Sequence, residues 1–557
     1  MVVPLSAPRE EDISNGGPDM SVKSLDQVVE ETVAEAMEAL EDPYRFAHPI
    51  KRVAIIGAGP SGLAAAKCLL QQGFEIQLYE RNTRVGGNWV YSEPAQSNLH
   101  IPSPTETPAE WLDRDKKRRS PPPDSCAKCT PEVLQWLHNH HHPSTACYQH
   151  LTTNTASPIL GSFDYPWPKD TPYFLSHRDV QAYLQNYATH FGLDPWIHLS
   201  TRLDNVVKKE DGKWHLTLTE AIQDGDAMSI KQYDETFDAV VIATGQFQDP
   251  TLPPLHGLVE YNAHFPGRIT HSKQFRRNED FKDKTVLVVG GRISAVDVSR
   301  LVSIEAKKVY MSYRGPFITN IGILDLVRSA LPSTVIHKPG IEGFWVKDPN
   351  TGEHVVNGSI TFKDGTVLDD IDAVVFATGY QMKHSYFGQA RALPGAHYDA
   401  KDDVSASPLV VMDQTKVHNT YKDIFLISDP TMAFAGAPKH VTTTPFFEYQ
   451  AQTMARVWAQ KAYLPSPANM TRFSLQRTQV CPAFQLDHES ETLRTQTLIS
   501  WLNTHATELA LDEPVLEGQP ESLAPVYEKG AALWPQFIKQ QQENMAAEKK
   551  KRDSLGA

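Results

Sequence analysis

Cysteine, long apolar runs and excess positive charge are all scarce in this 557-residue sequence. The five cysteines are few and odd in number, which disfavours a disulfide scaffold and favours a reducing compartment. No apolar run approaches the roughly 18 residues that a membrane span needs. No basic segment followed by an apolar core opens the sequence, so we expect a cytoplasmic protein without a signal peptide. The net charge of −14 argues against nucleic-acid and anionic-membrane partners.

The length exceeds what one hydrophobic core supports, so we expect two or more domains. The first organised stretch begins with residues 53–56, an apolar and mostly β-branched run that predicts a buried parallel strand. Gly57, Gly59 and Gly62 follow in GxGxxG spacing. In that pattern the first glycine permits a tight turn, the second lets a pyrophosphate approach the backbone, and the third lets a helix pack closely.

An Ala- and Leu-rich segment, residues 63–70, then predicts a helix whose free N–H groups would face the pyrophosphate. A second strand over residues 74–79 ends at Glu80, an acid that can accept a hydrogen bond from a ribose hydroxyl. Glycines alone would be weak evidence, but strand, glycines, helix, strand and acid occur here in the required order. The stretch therefore predicts a βαβ unit that binds an ADP-containing cofactor.

A second unit of the same kind begins near residue 284, with strands over 285–289 and 308–313. Tyr313 and Arg314 stand where the first unit carries Glu80. An acid suits a free ribose 2′-hydroxyl and an arginine suits a 2′-phosphate, so the second nucleotide should be NADPH rather than NADH. A surface arginine at a strand end is the alternative interpretation.

The turn of the second unit is irregular. It reads Gly290-Gly291-Arg292-Ile293-Ser294-Ala295, with Arg292 where the middle glycine belongs. That side chain would either block the pyrophosphate or bind it through the guanidinium, and the sequence does not decide between these outcomes.

Residues 92–147 are rich in proline and show no periodicity. Cys126 and Cys129 form a CxxC pair, and the cluster HNHHH ends at His142. A zinc site, a dithiol redox pair and a solvated insertion all remain open, although the spacing fits no standard zinc pattern. We expect the solvated insertion.

The N-terminal part holds a capping box at Ser24 and Gln27. An amphipathic helix should follow, and we expect it to dock on the main body rather than bind a partner protein. The residues that line its apolar face are Leu25, Val28, Val29, Val33, Met37 and Leu40.

With both units in view, the chain resembles the flavin-containing monooxygenases, in particular their soluble fungal members. The segment from Phe265 to Phe275 fits that family's F-x-G-x-x-x-H-x-x-x-(Y/F) motif at every fixed position. Baeyer–Villiger monooxygenases carry Trp where this chain has Phe275. Other matches are Gly86-Gly87-Asn88-Trp89, Leu151-Thr-Thr-Asn154-Thr, two Ala-Thr-Gly strand ends, and Asp429-Pro430 followed by Phe447-Glu448-Tyr449-Gln450. The resemblance covers roughly residues 50–465 apart from the insertion.

The resemblance implies FAD in the first unit, NADPH in the second, and O₂ and a small nucleophilic molecule as substrates. In the family, a flavin C4a-hydroperoxide delivers one oxygen atom to a sulfur or nitrogen atom. Asn154 matches the family's active-site asparagine, and His271 is more consistent with a structural role. The expected cofactor-binding residues are Gly57, Gly59, Pro60, Ser61, Gly62, Glu80, Gly87, Asn88, Trp89, Thr244, Gly245, Gly290, Gly291, Arg292, Ser294, Arg314, Thr378, Gly379 and Asp429.

The predicted fold is α/β, with two Rossmann-like dinucleotide-binding domains, the NADPH domain being inserted into the FAD domain. The predicted boundaries are 1–48 for an N-terminal segment and helix, 49–250 and 376–465 for the FAD domain, 251–375 for the NADPH domain, and 466–557 for a C-terminal helical extension. The alternatives in function are a Baeyer–Villiger monooxygenase and a flavin-binding partner protein with impaired NADPH use. The sequence leaves a homodimer open and identifies no metal site.

Overall fold

The architecture is taken from a computed structural model of the full chain. It describes residues 24–93, 95, 99–102, 107, 110, 126–318, 322–347, 352–394, 409–437, 444–480, 488–518 and 524–555. Two further sequence predictions lie outside the described residues: disorder of the polar residues 1–22, and a solvated loop surface at the basic run 114–119.

The described helices are numbered in chain order. They are α1 Leu25–Glu41, α2 Pro60–Gln71, α3 Pro131–Trp136, α4 Ser157–Leu160, α5 His177–His190, α6 Leu258–His264, α7 Ile293–Val302, α8 Gly322–Ser329, α9 Thr444–Trp458, α10 Pro467–Val480, α11 His488–Glu508 and α12 Ala524–Leu555. Short 3₁₀ turns occur at Gly87–Trp89, Asp194–Trp196, Ser272–Gln274, Asn278–Phe281 and Ser385–Ala390, and a π-helical turn at Leu137–His141.

The strands are numbered in the same way. They are β1 Arg52–Ile56, β2 Glu75–Tyr79, β3 Cys126–Lys128, β4 Ile197–His198, β5 Thr201–Lys208, β6 Trp214–Asp224, β7 Ala227–Phe237, β8 Ala239–Ile242, β9 Asp249–Pro250, β10 Ile269–His271, β11 Thr285–Val289, β12 Lys308–Ser312, β13 Ile336–Lys338, β14 Ile341–Lys347, β15 His354–Phe362, β16 Val367–Leu368, β17 Ala373–Phe376, β18 Tyr380–Gln381, β19 Arg391–Ala392, β20 Val410–Val411, β21 Thr420–Tyr421, β22 Phe425–Leu426 and β23 Met432–Phe434.

Two sheets form the two halves of the fold, one mixed, with its strands β23, β8, β1, β2 and β4 parallel, and one wholly parallel. The first has seven strands in the order β21-β22-β23-β8-β1-β2-β4, and the second has five in the order β10-β17-β11-β12-β13. The central strands β1, β8, β11 and β17 are apolar and almost wholly buried, as expected for parallel sheets covered by helices. The first sheet takes strands from both before and after the second sheet in the chain. The predicted insertion of one Rossmann-like unit into the other is therefore confirmed.

Two antiparallel sheets extend these units. The meander β5–β6–β7 carries β3 at its free edge, with Cys126 opposite Ser229. The strands β14, β15 and β16 form an antiparallel sheet within the second unit, where residues 341–370 also predict a β-hairpin insertion from the sequence.

Helix α1 begins with the predicted capping box, in which the Gln27 amide donates to Ser24 Oγ at 3.3 Å and the Ser24 amide to Gln27 Oε1 at 2.9 Å. The helix packs on α11, and Lys422 Nζ lies 3.1 Å from Glu35 Oε1, so docking on the main body is confirmed. The predicted apolar face is confirmed at Val28 but was wrong at Leu25, Val33 and Met37. The buried residues are Val28, Thr32, Ala36 and Ala39, whereas Leu25, Val33 and Met37 are exposed. Small side chains on the buried face allow close approach between the two helices.

The C-terminal helix α12 rests on the second unit. Its Trp534 and Ile538 join the core formed by α7 and β11, and Arg300 Nη1 donates to Gln541 Oε1 at 2.7 Å. None of the helices in the described part of the chain is both long and apolar enough to cross a lipid bilayer.

Candidate cofactor and active site

A cavity of about 480 Å³ opens at the carboxyl ends of β1, β2 and β8. Open α/β sheets bind their ligands at this edge, because the strand ends and helix N-termini meet there. Eleven of the residues expected from the sequence line it. They are Gly57, Gly59, Pro60, Ser61, Glu80, Gly87, Asn88, Trp89, Asn154, Thr244 and Gly245.

The glycine turn needs its glycines for two distinct reasons. Gly57 has φ of +107°, and a Cβ there would lie 2.5 Å from the Ala243 carbonyl oxygen. A Cβ on Gly62 would lie 1.8 Å from the Gly57 carbonyl oxygen, which explains why Gly62 packs α2 onto the turn rather than lining the cavity. A Cβ on Gly59 would meet only Gly87 Cα, at 3.5 Å, so this backbone is open toward the cavity. Since α2 begins at Pro60, its N-terminus faces a space that fits a pyrophosphate.

Glu80 is buried and held in place by backbone donors. The Ala58 amide donates to its Oε2 and the Asn82 amide to its Oε1, both at 2.8 Å. Burial raises the pKa of the Glu80 carboxyl, while these hydrogen bonds favour its charged form. A carboxylate has further lone pairs for a ribose hydroxyl, so the position fits the predicted contact.

Asn154 enters the cavity from a segment that pairs with the residues before α5. The Thr153 amide donates to the Leu175 carbonyl at 2.8 Å, and the Leu175 amide to Thr153 Oγ1 at 3.0 Å. The Asn154 side chain is half-buried, and no described protein group is hydrogen-bonded to its amide. Its donor and acceptor are therefore available to a ligand.

Arg276, which the sequence analysis did not identify, joins the family motif to the residues that precede this segment. Its Nη2 donates to the Thr145 carbonyl at 3.0 Å and its Nη1 to the Cys147 carbonyl at 2.9 Å. The Ala146 amide donates to Asn88 Oδ1 at 3.1 Å, which ties the same segment to the cavity wall. An arginine next to the motif was visible in the sequence, but nothing local indicated which carbonyls it would reach.

The motif residues themselves are structural. His271 is fully buried, its Nδ1 accepts from the Lys273 amide at 3.0 Å, and burial lowers its pKa to about 3. Phe275 is buried with its ring centroid 5.3 Å from that of Tyr148. The structure thus supports a structural role for His271 rather than proton donation.

The polar wall of the cavity carries a buried lysine. Lys273 lines the cavity, and its Nζ donates to the Gln248 carbonyl at 2.5 Å. Burial lowers its pKa to about 7, while nearby Asp249 opposes this shift. Lys383 Nζ lies 3.1 Å from Asp249 Oδ1, so this part of the cavity has both charges. Neither lysine was a sequence candidate.

The turn after β11 resembles the glycine turn after β1, except that Arg292 stands where the middle glycine belongs. Gly290 has φ of +144°, and a Cβ there would lie 2.4 Å from the Ala377 carbonyl oxygen. Ala295 takes the place of the third glycine and is fully buried under the turn. Arg292 is the N-terminal cap of α7, and it is exposed, as are Ser294 and Arg314.

The carbonyl of Gly291 faces Arg328, whose Nε donates to it at 3.0 Å. The sequence did not indicate this arginine, since it lies on α8, 37 residues further on. With glycine backbone at the turn, a helix N-terminus and two exposed arginines, these residues fit a phosphorylated dinucleotide.

Three of the expected cofactor residues lie elsewhere. Thr378 and Gly379 join the two units: the Thr378 hydroxyl donates to the Thr251 carbonyl, and the Thr251 amide to the Gly379 carbonyl at 2.9 Å. Asp429 precedes β23, which runs parallel to β8, and therefore lies at the opposite edge of the sheet from the cavity. Its carboxylate pairs with Lys208 and accepts from Thr431 Oγ1 at 2.6 Å. The geometry argues against the predicted cofactor contact of Asp429, whose partners give it a structural role.

The insertion also differs from expectation. Its later part is not a solvated loop, because β3 extends the meander and Val133 and Leu137 pack on Met228 and Ile230. Within the described residues, no group of three or more His, Cys, Asp and Glu side chains could hold a metal ion. Cys129 is a free thiol. The Cys126 side chain lies outside the described part of the chain, and with it the zinc and dithiol interpretations of the CxxC pair.

The comparisons with known proteins agree with this site. Residues 133–323 match the family model described as flavin-binding monooxygenase-like, and residues 55–112 match that of an NAD(P)-binding Rossmann-like domain. Flavin-containing monooxygenase iboF of Amanita muscaria is 32% identical over 449 residues, which are 76% of this chain and 82% of that protein. Flavin-containing monooxygenase ustF2 of Aspergillus flavus is 29% identical over 81% of this chain and 92% of its own length.

Among solved structures, the S-allyl-L-cysteine S-oxygenase of Allium sativum has the same fold, with a TM-score of 0.60, 20% identity, and coverage of 91% of this chain and 99% of that one. The glycine cradles, Glu80 and the arginines of the second turn fit FAD and NADPH respectively. Together with the 32% identity to iboF over most of both chains, this shows that the protein belongs to the flavin-containing monooxygenase family, as an oxidoreductase that uses FAD and NADPH.

Proposed function

We propose that this monooxygenase transfers one oxygen atom from O₂ to a sulfur or nitrogen atom of a small molecule, at the end of the cavity where Asn154 lies. The observation that carries the proposal is the half-buried Asn154, which lines the cavity at the carboxyl ends of β1, β2 and β8. When bound, FAD accepts a hydride from NADPH and activates O₂. No protein nucleophile is needed, since the substrate supplies the attacking lone pair.

The first unit would hold FAD through Gly57, Gly59 and the N-terminus of α2 at the pyrophosphate, and through Glu80 at the ribose. The second would hold NADPH through the turn at Gly290 and through Arg314 at the 2′-phosphate. The exposure of Arg292 supports a guanidinium that reaches a phosphate rather than one that fills the turn.

Asn154 would donate a hydrogen bond from its amide Nδ2 beside the reacting oxygen. An amide does this without supplying an acidic proton, whereas an acid would release the oxygen as hydrogen peroxide. The segment that carries Asn154 is fixed by Thr153, Leu175 and Arg276, so the donor has a defined position. A fixed donor in a site that excludes water is what transfer to a substrate requires.

The test measures NADPH consumption with a panel of thiols and amines, and counts hydrogen peroxide separately. We expect at least one nucleophile to yield an oxygenated product, with peroxide below the NADPH consumed. Peroxide equal to NADPH with every nucleophile, together with ester formation from a ketone, would instead identify a Baeyer–Villiger enzyme.

Asn154→Ala should keep NADPH-dependent flavin reduction and release more peroxide per NADPH, by about 10-fold if the amide contributes a typical hydrogen bond to a charged group. The matched control is Asn357→Ala, which removes an exposed amide on β15 away from the cavity. Coupling that is unchanged in Asn154→Ala would remove this residue from the site.

A further inference from the structure

The π-helical turn Leu137–His141 lies on the cofactor cavity. Asn139, His140 and the following Pro143 line it, although they belong to the irregular insertion. The turn is anchored by Leu137, which is buried against the meander, and by β3, which pairs with β7. It is therefore a packed element with two independent attachments to the first unit.

The position of the turn relative to Glu80 indicates which part of FAD it would meet. The first sheet runs β8-β1-β2-β4, so the glycine turn after β1 and Thr244 after β8 lie on one side of Glu80. The residues at Thr201–Asp204 lie on its other side and also line the cavity. A pyrophosphate at the glycine turn and a ribose at Glu80 would leave the adenine on the side of Thr201 and Arg202.

Short contacts join this far side to the turn. The Thr201 amide donates to the Glu80 carbonyl at 2.9 Å, which places β5 directly beside the ribose-binding acid. Arg202 Nη1 donates to the His140 carbonyl at 2.6 Å, and the His141 Nε2 lies 2.7 Å from the Ser200 carbonyl oxygen. The path from Glu80 to His140 thus consists of two hydrogen bonds and the adjacent residues Thr201 and Arg202 of β5.

Asn139 and His140, which line the cavity, are residue types suited to adenine. An asparagine amide offers one acceptor and two donors, which can match the polar edge of the base. The imidazole ring of a histidine can stack on the face of the adenine base. Replacing an aromatic side chain that stacks on a base by alanine weakens binding of the nucleotide. His141, by contrast, is fully buried and bonded to Ser200, so it fixes the turn rather than a ligand.

We infer that the insertion supplies a second cofactor-binding element, the turn Leu137–His141, which closes the adenosine end of the FAD cavity through Asn139 and His140. The element is assembled from a part of the chain that carries no nucleotide-binding motif. Its role is to hold the AMP half of FAD, and it takes no part in the redox chemistry.

The experiment measures FAD release from the holoenzyme. Holoenzyme is diluted, the fluorescence of released flavin gives the dissociation constant, and added ADP, which shares only the adenosine and phosphates with FAD, gives its own inhibition constant by displacement. His140→Ala should raise the FAD dissociation constant about 5- to 150-fold, the effect of a lost stacking contact. Asn139→Ala should raise it about 2- to 13-fold, the effect of a lost neutral hydrogen bond. The ADP inhibition constant should rise by the same factor, because the lost contacts are to adenosine.

The matched control is His142→Ala, since His142 neighbours the turn and does not line the cavity. It should leave both constants within about twofold, and near-UV circular dichroism at saturating FAD should be the same for all variants. An FAD constant within twofold of the wild type in both Asn139→Ala and His140→Ala would overturn the inference. So would an ADP constant that stays fixed while that of FAD rises, or a His142→Ala variant that weakens FAD as much as the other two.

Discussion

Gly59 and Gly62 should respond differently to the same substitution, although they belong to one motif. Gly59 has φ of −80° and ψ of −176°, which alanine adopts without strain. Its added Cβ would lie 3.5 Å from Gly87 Cα, an ordinary contact, so Gly59→Ala should fold normally. The methyl group would project into the cavity at the N-terminus of α2, where the pyrophosphate binds.

The expected size of the effect follows from the contacts that the methyl group displaces. Loss of one hydrogen bond between a backbone N–H and a charged phosphate costs about 1.5–3 kcal/mol. The FAD dissociation constant of Gly59→Ala should therefore rise about 10- to 150-fold. The free energy of unfolding without added FAD should change by no more than about 1 kcal/mol, the usual scale for a helix cap.

Gly62→Ala has the opposite signature. Its Cβ would lie 1.8 Å from the Gly57 carbonyl oxygen, a backbone atom that cannot rotate away. Helix α2 must then shift, and overpacking of this kind typically costs about 1–3 kcal/mol or more in stability. Urea unfolding monitored by circular dichroism and FAD release on dilution measure the two quantities separately. The reasoning is refuted if Gly59→Ala retains FAD affinity within twofold, or if Gly62→Ala unfolds at the wild-type urea concentration.

Two further predictions concern NADPH selection and pH. Arg314→Ala should raise the KM for NADPH about tenfold and leave the KM for NADH nearly unchanged, because only NADPH carries a 2′-phosphate. Equal changes in the two KM values in steady-state kinetics would show that Arg314 does not bind the 2′-phosphate. Burial lowers the pKa of His505 to about 4, below the value of about 6.5 in an unfolded chain, so the unfolded state binds more protons between these values. The free energy of unfolding should therefore fall as pH decreases from about 6.5 toward 4. His505→Gln should reduce the slope of unfolding free energy against pH by up to about 1.4 kcal/mol per pH unit. The same slope in urea titrations of the wild type and the variant would contradict this prediction.

The nucleotide-binding units could be predicted because their signals are local. Strand, glycines, helix and acid follow one another within about 30 residues, and each has a steric reason that survives in the structure, as at Gly57 and Gly62. The same holds for the capping box at Ser24. Such patterns depend on neighbouring residues and not on the remainder of the fold.

The contacts that could not be predicted join segments far apart in the chain. β3 pairs with β7 about 100 residues away, so the irregular insertion gave no sign of its packed state. Arg276 and Arg328 bind backbone carbonyls, which carry no sequence signal. The buried face of α1 is set by α11, some 460 residues later, and its alanines count as weak apolar residues in a periodicity argument.

Asp429 illustrates the limit of motif matching. Its place in the sequence, after a strand and before Pro430, resembles a cofactor-binding strand end. The strand that matters is β23, which begins after Asp429, so the acid lies at the amino end of the sheet and pairs with Lys208. An acidic residue at the carboxyl end of a parallel strand can reach the cofactor cavity, whereas one at the amino end, such as Asp429, cannot.

The most direct test of the account is an anaerobic titration of the purified flavoprotein with NADPH. The turn of Gly57 would hold FAD and the turn of Gly290 would hold NADPH, so NADPH should reduce the bound flavin. Stoichiometric bleaching of the flavin absorbance near 450 nm by NADPH, with a weaker response to NADH, is the predicted result. An oxidised flavin spectrum that persists with excess NADPH would contradict the account.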